Sequence, residues 1–179
     1  MPENIFDTKT KQLTLDDYLK LSENGRENLG KDVPVLVYRL FLYSMREQLD
    51  AAFGKEKMID VFRKSGFSSG EYFANNLLDL NLDLNAFIAH LQEKLEALKI
   101  GILRIEKFDK DTGRMVLTIS EDIDCSGMPL LGETVCNYDE GFISGILSVY
   151  TKKTYQAIEI DCWATGDRVC RFDANVLSD

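Results

Sequence analysis

Histidine is almost missing from this chain of 179 residues, with His90 the only one. No nucleophile–histidine–acid triad stands out around it. No Gly-x-Gly-x-x-Gly follows a strand-like segment, so nothing indicates a dinucleotide fold. Basic residues are outnumbered, 21 Lys and Arg against 30 Asp and Glu, for a formal charge of -9. That balance argues against non-specific binding to nucleic acid or to an anionic membrane surface, both of which need basic patches. No apolar run approaches the length of a membrane span. The opening MPENIFDTKTKQ lacks the charged-then-apolar layout of a signal peptide, and a cytoplasmic location is expected. There is no internal repeat, low-complexity tract or domain boundary. At this length and apolar fraction a single domain is expected, over 33–175, preceded by an extension over 1–32.

The hydrophobic periods divide the chain in two. Thr14 is placed to cap a short helix over Leu13–Leu21, with Asp16 and Asp17 in its first turn. Asp32-Val33-Pro34 opens a longer helix, Val35 to Phe53, which Gly54 ends. Its first half is apolar on nearly every side, so it must be buried in the core or against a second subunit. Arg39, the one charge in that run, should reach solvent or a carboxylate. Lys55 to Leu78 is helical, with Gly66 and Gly70 on one face marking either a kink or a close helix approach. A further helix, Ala86 to Leu98 with Asn85 as cap, carries a stripe of Phe87, Ile88, Leu91, Leu95 and Leu98. The period then falls to two. Ile102–Phe108 and Arg114–Ile119 flank Asp109–Gly113 as a hairpin. A helix over Val135–Tyr150 and a second hairpin, Thr154–Trp163 with Val169–Asp173, close the chain. The expected class is α+β, an antiparallel sheet of about four strands packed against a helical layer.

Three of the four cysteines, Cys136, Cys162 and Cys170, lie in the last quarter of the chain. In a reducing compartment such clustering suggests metal or packing rather than disulfides. With Glu159 they offer three thiolates and a carboxylate, a full ligand set for tetrahedral zinc with no open position. A helix start at Cys136 would favour its thiolate. Glu159 and Cys162 are three apart and would face opposite sides of a regular strand, so a bulge near Asp161 is required. Without a Cys-x-x-Cys pair, spacing alone leaves zinc and plain buried thiols both open. Cys125 has no partner in this scheme and is taken as a free loop or packing thiol.

Residues 136–172 closely resemble the signature of the 4-vinyl reductase domain family, and residues 33–175 fit its layout. The matching residues are Cys136, Gly141 and Gly145, then Glu159 and Cys162, then Gly166-Asp167 and Cys170-Arg171-Phe172. Related domains are the sensing modules of phenol- and xylene-responsive activators. The wider fold is similar to subunits of the TRAPP tethering complex and to haem-based nitric oxide sensors. The resemblance implies a TRAPP-subunit-like ligand-binding fold, a structural zinc held by Cys136, Glu159, Cys162 and Cys170, and a ligand between sheet and helices.

On that placement Phe87, His90, Leu91, Met115, Phe142 and Ile146 are the candidate ligand-lining residues. In the phenol sensors a His and a Trp hold the ligand hydroxyl. Counting back from Cys136, their counterparts fall near Phe87 and Met115, which cannot make the same bonds and argue against phenol itself. The reading that follows is a stand-alone hydrocarbon- or aromatic-binding sensor domain, homodimeric through the Val33–Met45 face. The alternatives are a dimeric interaction scaffold without ligand and, third, a vinyl-group reductase of tetrapyrrole metabolism. No catalytic or cofactor motif supports an enzyme, and a closed zinc site gives no Lewis-acid position.

Overall fold

A computed structural model describes residues 14–20, 28–30 and 32–177. They fall into two units, Met1–Pro34 and Val35–Asp179. The first contains the six-residue helix α1, Leu15–Lys20. Thr14 caps it reciprocally: the Asp17 amide donates to Thr14 Oγ1 (3.3 Å) and the Thr14 amide to Asp17 Oδ2 (3.0 Å). Leu13 and Leu21, the expected ends of this helix, lie outside the described residues.

The second unit holds helices α2 (Val35–Phe53), α3 (Lys55–Leu77), α4 (Leu84–Ala97) and α5 (Asn137–Thr151). Its strands are β1 (Ile102–Phe108), β2 (Met115–Ser120), β3 (Tyr155–Asp161) and β4 (Cys170–Val176). They form one antiparallel sheet in the order β1-β2-β4-β3, so the class is α+β as expected. The two hairpins lie side by side through β2 and β4, with Leu117 opposite Phe172 and Ile119 opposite Cys170. Alternation gives the sheet one covered face: Leu103, Met115, Leu117, Ile119, Phe172, Ala174, Tyr155 and Ala157 are all buried there. α5 packs on that face over β3, with Ser148 Oγ accepting from the Tyr155 amide (2.9 Å) and Ser144 Oγ from the Ala157 amide (2.8 Å). α4 packs beside it over β1.

α3 lies along α5 at unusually short range, and glycine is the reason. A Cβ on Gly66 would stand 2.0 Å from the Tyr138 carbonyl oxygen, and one on Gly70 would stand 2.2 Å from that of Phe142. Gly141 and Gly145 reciprocate against the Arg63 and Phe67 carbonyls, at 2.0 and 2.3 Å. α3 runs unbroken through both glycines, so the pair marks close packing and not a kink.

Two local expectations need correction. The cap of α4 is Asp83, whose Oδ1 accepts from the Ala86 amide (3.0 Å), and not Asn85. α2 has the expected bounds and Gly54 (φ 81°) ends it, but no residue of α2 is buried within the chain. Leu36, Leu40 and Phe41 are 71%, 68% and 69% exposed. Its polar side chains instead grip the segment between β2 and α5. Arg39 Nε donates to the Ile123 carbonyl (2.8 Å), so it meets neither solvent nor a carboxylate. Tyr43 Oη donates to the Asp124 carbonyl (2.9 Å), and Arg46 donates to the Val135 carbonyl (3.1 Å) and to Asn137 Oδ1 (3.0 Å). Among the described residues, no helix is long and apolar enough to cross a membrane.

Candidate metal centre and ligand cavity

Four elements bring sulfur to one point. Cys125 sits in a turn after β2, closed by the Ser126 amide on the Asp122 carbonyl (3.1 Å). Cys136 stands at the N-cap of α5, Cys162 precedes a 3-10 turn over Trp163–Thr165, and Cys170 opens β4. The register shifts between Glu159 and Asp161, supplying the irregularity that the Glu159–Cys162 spacing demanded. All four cysteines are buried and free. Their sulfurs are separated by 3.1 Å (Cys125–Cys170), 3.6 Å (Cys136–Cys170), 3.8 Å (Cys136–Cys162) and 3.9 Å (Cys125–Cys162).

Cys125, taken from sequence as a lone thiol, is therefore the fourth member of the group. Glu159 touches the group from outside. Its Oε2 accepts from the Cys136 amide (2.9 Å), and its Oε1 has no hydrogen-bond partner. Tetrahedral zinc with thiolates at about 2.3 Å has sulfurs about 3.8 Å apart, so the chemistry and spacing of the cluster fit that ion. The thiols of Cys136 and Cys170 are pushed up, first by their contact with Cys125. That of Cys162 is pulled down, because the three neighbouring thiols donate to it. Four thiolates gathered here would repel one another unless a cation stood between them.

Carboxyl groups crowd the same region. Asp122, Asp124, Asp139 and Glu159 are all buried. Asp124 accepts from Tyr38 Oη through Oδ1 (2.6 Å), and its amide donates to Asp122 Oδ1 (2.7 Å). Burial, then the neighbouring Asp122, raises Asp124 to about 7; burial, then Cys162, raises Glu159 to about 8. Asp139 is pushed well above the ordinary carboxylate range by burial, then by Asp122 and Asp124. In sequence these acids read as loop residues or as helix-dipole partners in the first turn of α5, so their burial was not legible there.

An enclosed cavity of about 20 Å³ lies between α4, α5 and the covered sheet face. Its walls are hydrocarbon side chains with one exception, Asp139. Of the six candidate ligand residues, Leu91, Phe142 and Ile146 line it. Phe87 is buried elsewhere, stacked on Tyr150 with centroids 3.7 Å apart. Met115 lines a separate groove of about 190 Å³ between α4 and the first hairpin. His90 accepts through Nδ1 from the Asp79 amide (3.4 Å) and stays outside both spaces. Ile88 and Ile105 wall both the cavity and the groove.

Hairpins beside a helical layer, with the final cysteine pattern on β3 and β4, define the class of domain. Residues 115–176 match the model of the 4-vinyl reductase domain, and this segment of the chain is such a domain. The chain is similar in fold to a vinyl-4-reductase family protein from Methanocaldococcus jannaschii, with a TM-score of 0.61 at 12% identity over 94% of this chain and 99% of that one. A trafficking protein particle complex subunit 3 from Naegleria fowleri, covalently bound to palmitic acid, gives 0.64 at 11% identity, covering 80% and 95%. The phenol-responsive sensory domain of the transcription activator PoxR, with phenol, gives 0.59 at 16% identity, covering 75% and 72%. The fold is thus the TRAPP-subunit-like one anticipated for the chain.

Proposed function

We propose that this chain is a small-molecule-binding domain that takes a hydrophobic or aromatic ligand between its helical layer and its sheet. The observation that carries the reading is the apolar cavity bounded by α4, α5, β1 and β2. A phenol-responsive domain and a palmitoylated subunit that share the fold support it. At about 20 Å³ the cavity is smaller than the few hundred Å³ that ligand sites usually offer. Binding therefore opens it, and Ile88 and Ile105 are the walls whose movement would join it to the 190 Å³ groove. Titration with hydrophobic probes should raise the melting temperature, while charged metabolites of similar size leave it unchanged. Probes that bind no better than those metabolites would overturn the reading.

A structural zinc belongs to the same proposal. The donor set is Cys125, Cys136, Cys162 and Cys170, with Glu159 orienting Cys136 through its amide rather than coordinating. When bound, the ion supplies cross-linking between β2, α5, β3 and β4, and its energy is folding energy.

A second reading has its own observation. The outward side of α2 exposes Leu36, Val37, Leu40 and Phe41, an apolar stretch of the kind that marks interaction surfaces. Two-fold pairing of this face makes a homodimer. If the cavity stays dry and closed, the domain is an interaction scaffold instead.

A further inference from the structure

Asp139 is out of place for a residue that only packs. It is 5% exposed, it lines a cavity otherwise walled by Leu, Ile and Phe side chains, and its Oδ2 has no hydrogen-bond partner. Such an atom costs about 1–3 kcal/mol when left unsatisfied, so a buried acceptor at the edge of a hydrocarbon cavity needs a donor. The other groups around it cannot supply one readily. Asp122, Asp124 and Glu159 are acids, and Asp122 Oδ2 and Glu159 Oε1 are themselves unpartnered. A proton shared between Asp122 and Asp139 satisfies one oxygen of each and leaves acceptors over.

We propose that Asp139 is the polar anchor of the ligand cavity and selects an uncharged amphiphile with a terminal hydroxyl, whose O–H donates to the free carboxyl oxygen. This rests on the ligand-binding reading above and adds to it the class of ligand. A carboxyl oxygen accepts in either protonation state, so the selection does not depend on titration. The hydrocarbon body lies along Leu91, Phe142 and Ile146, with its far end at Ile88 and Ile105, where the groove begins. A carboxylate ligand would bring a second negative charge into an apolar space backed by acids. An ammonium ligand would lose its hydration against hydrocarbon walls.

A matched pair of isomers tests this. 1-Octanol and heptyl methyl ether share one formula and nearly one shape, but only the alcohol donates. Calorimetric titration of the full chain should give octanol an affinity about tenfold or more above the ether, the value of one hydrogen bond of about 1.4 kcal/mol. Octanoate should bind at least as weakly as the ether. Asp139→Leu should abolish the preference while still binding both isomers, and Asp139→Asn, which keeps an acceptor oxygen, should retain it. Infrared difference spectra should show a carboxyl C=O shift with octanol and none with the ether, a readout that holds even if Asp139→Leu fails to fold. Equal binding of the two isomers, or octanoate binding as tightly as octanol, overturns the anchor and leaves the cavity reading standing. Binding of neither isomer overturns both.

Discussion

Cys125 and Glu159 compete for one role, the fourth ligand beside Cys136, Cys162 and Cys170. Cys125 has the better geometry, at 3.1 Å and 3.9 Å from two of the other sulfurs. X-ray absorption of the zinc-loaded protein should then fit four sulfurs at about 2.3 Å; three sulfurs with one oxygen at about 2.0 Å would restore Glu159. Cys170→Ala should lower stability by several kcal/mol, read by urea unfolding with and without chelator, because a structural metal contributes directly to folding. Tyr38 gives a separate prediction. Burial, then Asp124, raises its hydroxyl above the ordinary tyrosine range. A raised folded-state value means the stabilisation is complete below an unfolded value of about 10 and is lost as pH rises through and beyond it. Stability should therefore fall more steeply between about pH 9 and about pH 11 in the wild type than in Tyr38→Phe. Parallel curves would contradict this. The three cysteines that share a stretch of sequence were legible as a group. Cys125 was not, because a loop brings it in from the far side of β2 and no sequence spacing encodes that closure.

Among the elements, α3 and α5 depend on four glycines meeting backbone to backbone. Gly70→Ala should destabilise by about 2–3 kcal/mol, since its Cβ would strike the Phe142 carbonyl oxygen and force the helices apart. Ser68→Ala, on the exposed side of the same helix, should change stability by less than about 0.5 kcal/mol. Comparable urea midpoints for the two variants would show that the close approach is not needed. The bounds of α2 and α3, both hairpins and the bulge before Asp161 could be read from period, cap and turn residues, which act locally. The α4 cap was misplaced because Asp83 and Asn85 are both good caps, and only the Ala86 amide decides between them. Whether Gly66 and Gly70 made a kink or a contact depended on α5, which lies far along the chain from both.

At the scale of the whole molecule, the apolar run in α2 was plain in the sequence, but its partner was not. The chain leaves it uncovered, with Leu36, Leu40 and Phe41 exposed. Sedimentation should give a dimer mass at micromolar concentration, and Leu40→Glu with Phe41→Glu should give a monomer that stays folded; a wild-type monomer would remove the dimer. Likewise, the helices and strands that bound the cavity were legible, while its volume was not, because volume depends on how Leu91, Phe142 and Ile146 interlock. The binding reading is tested most directly by a native mass spectrum of freshly purified protein, before and after a hydrophobic probe is added. The expected spectrum carries one zinc ion per chain and gains the mass of one probe molecule per chain. A chain that remains at its bare mass throughout, with neither zinc nor probe, would contradict the account.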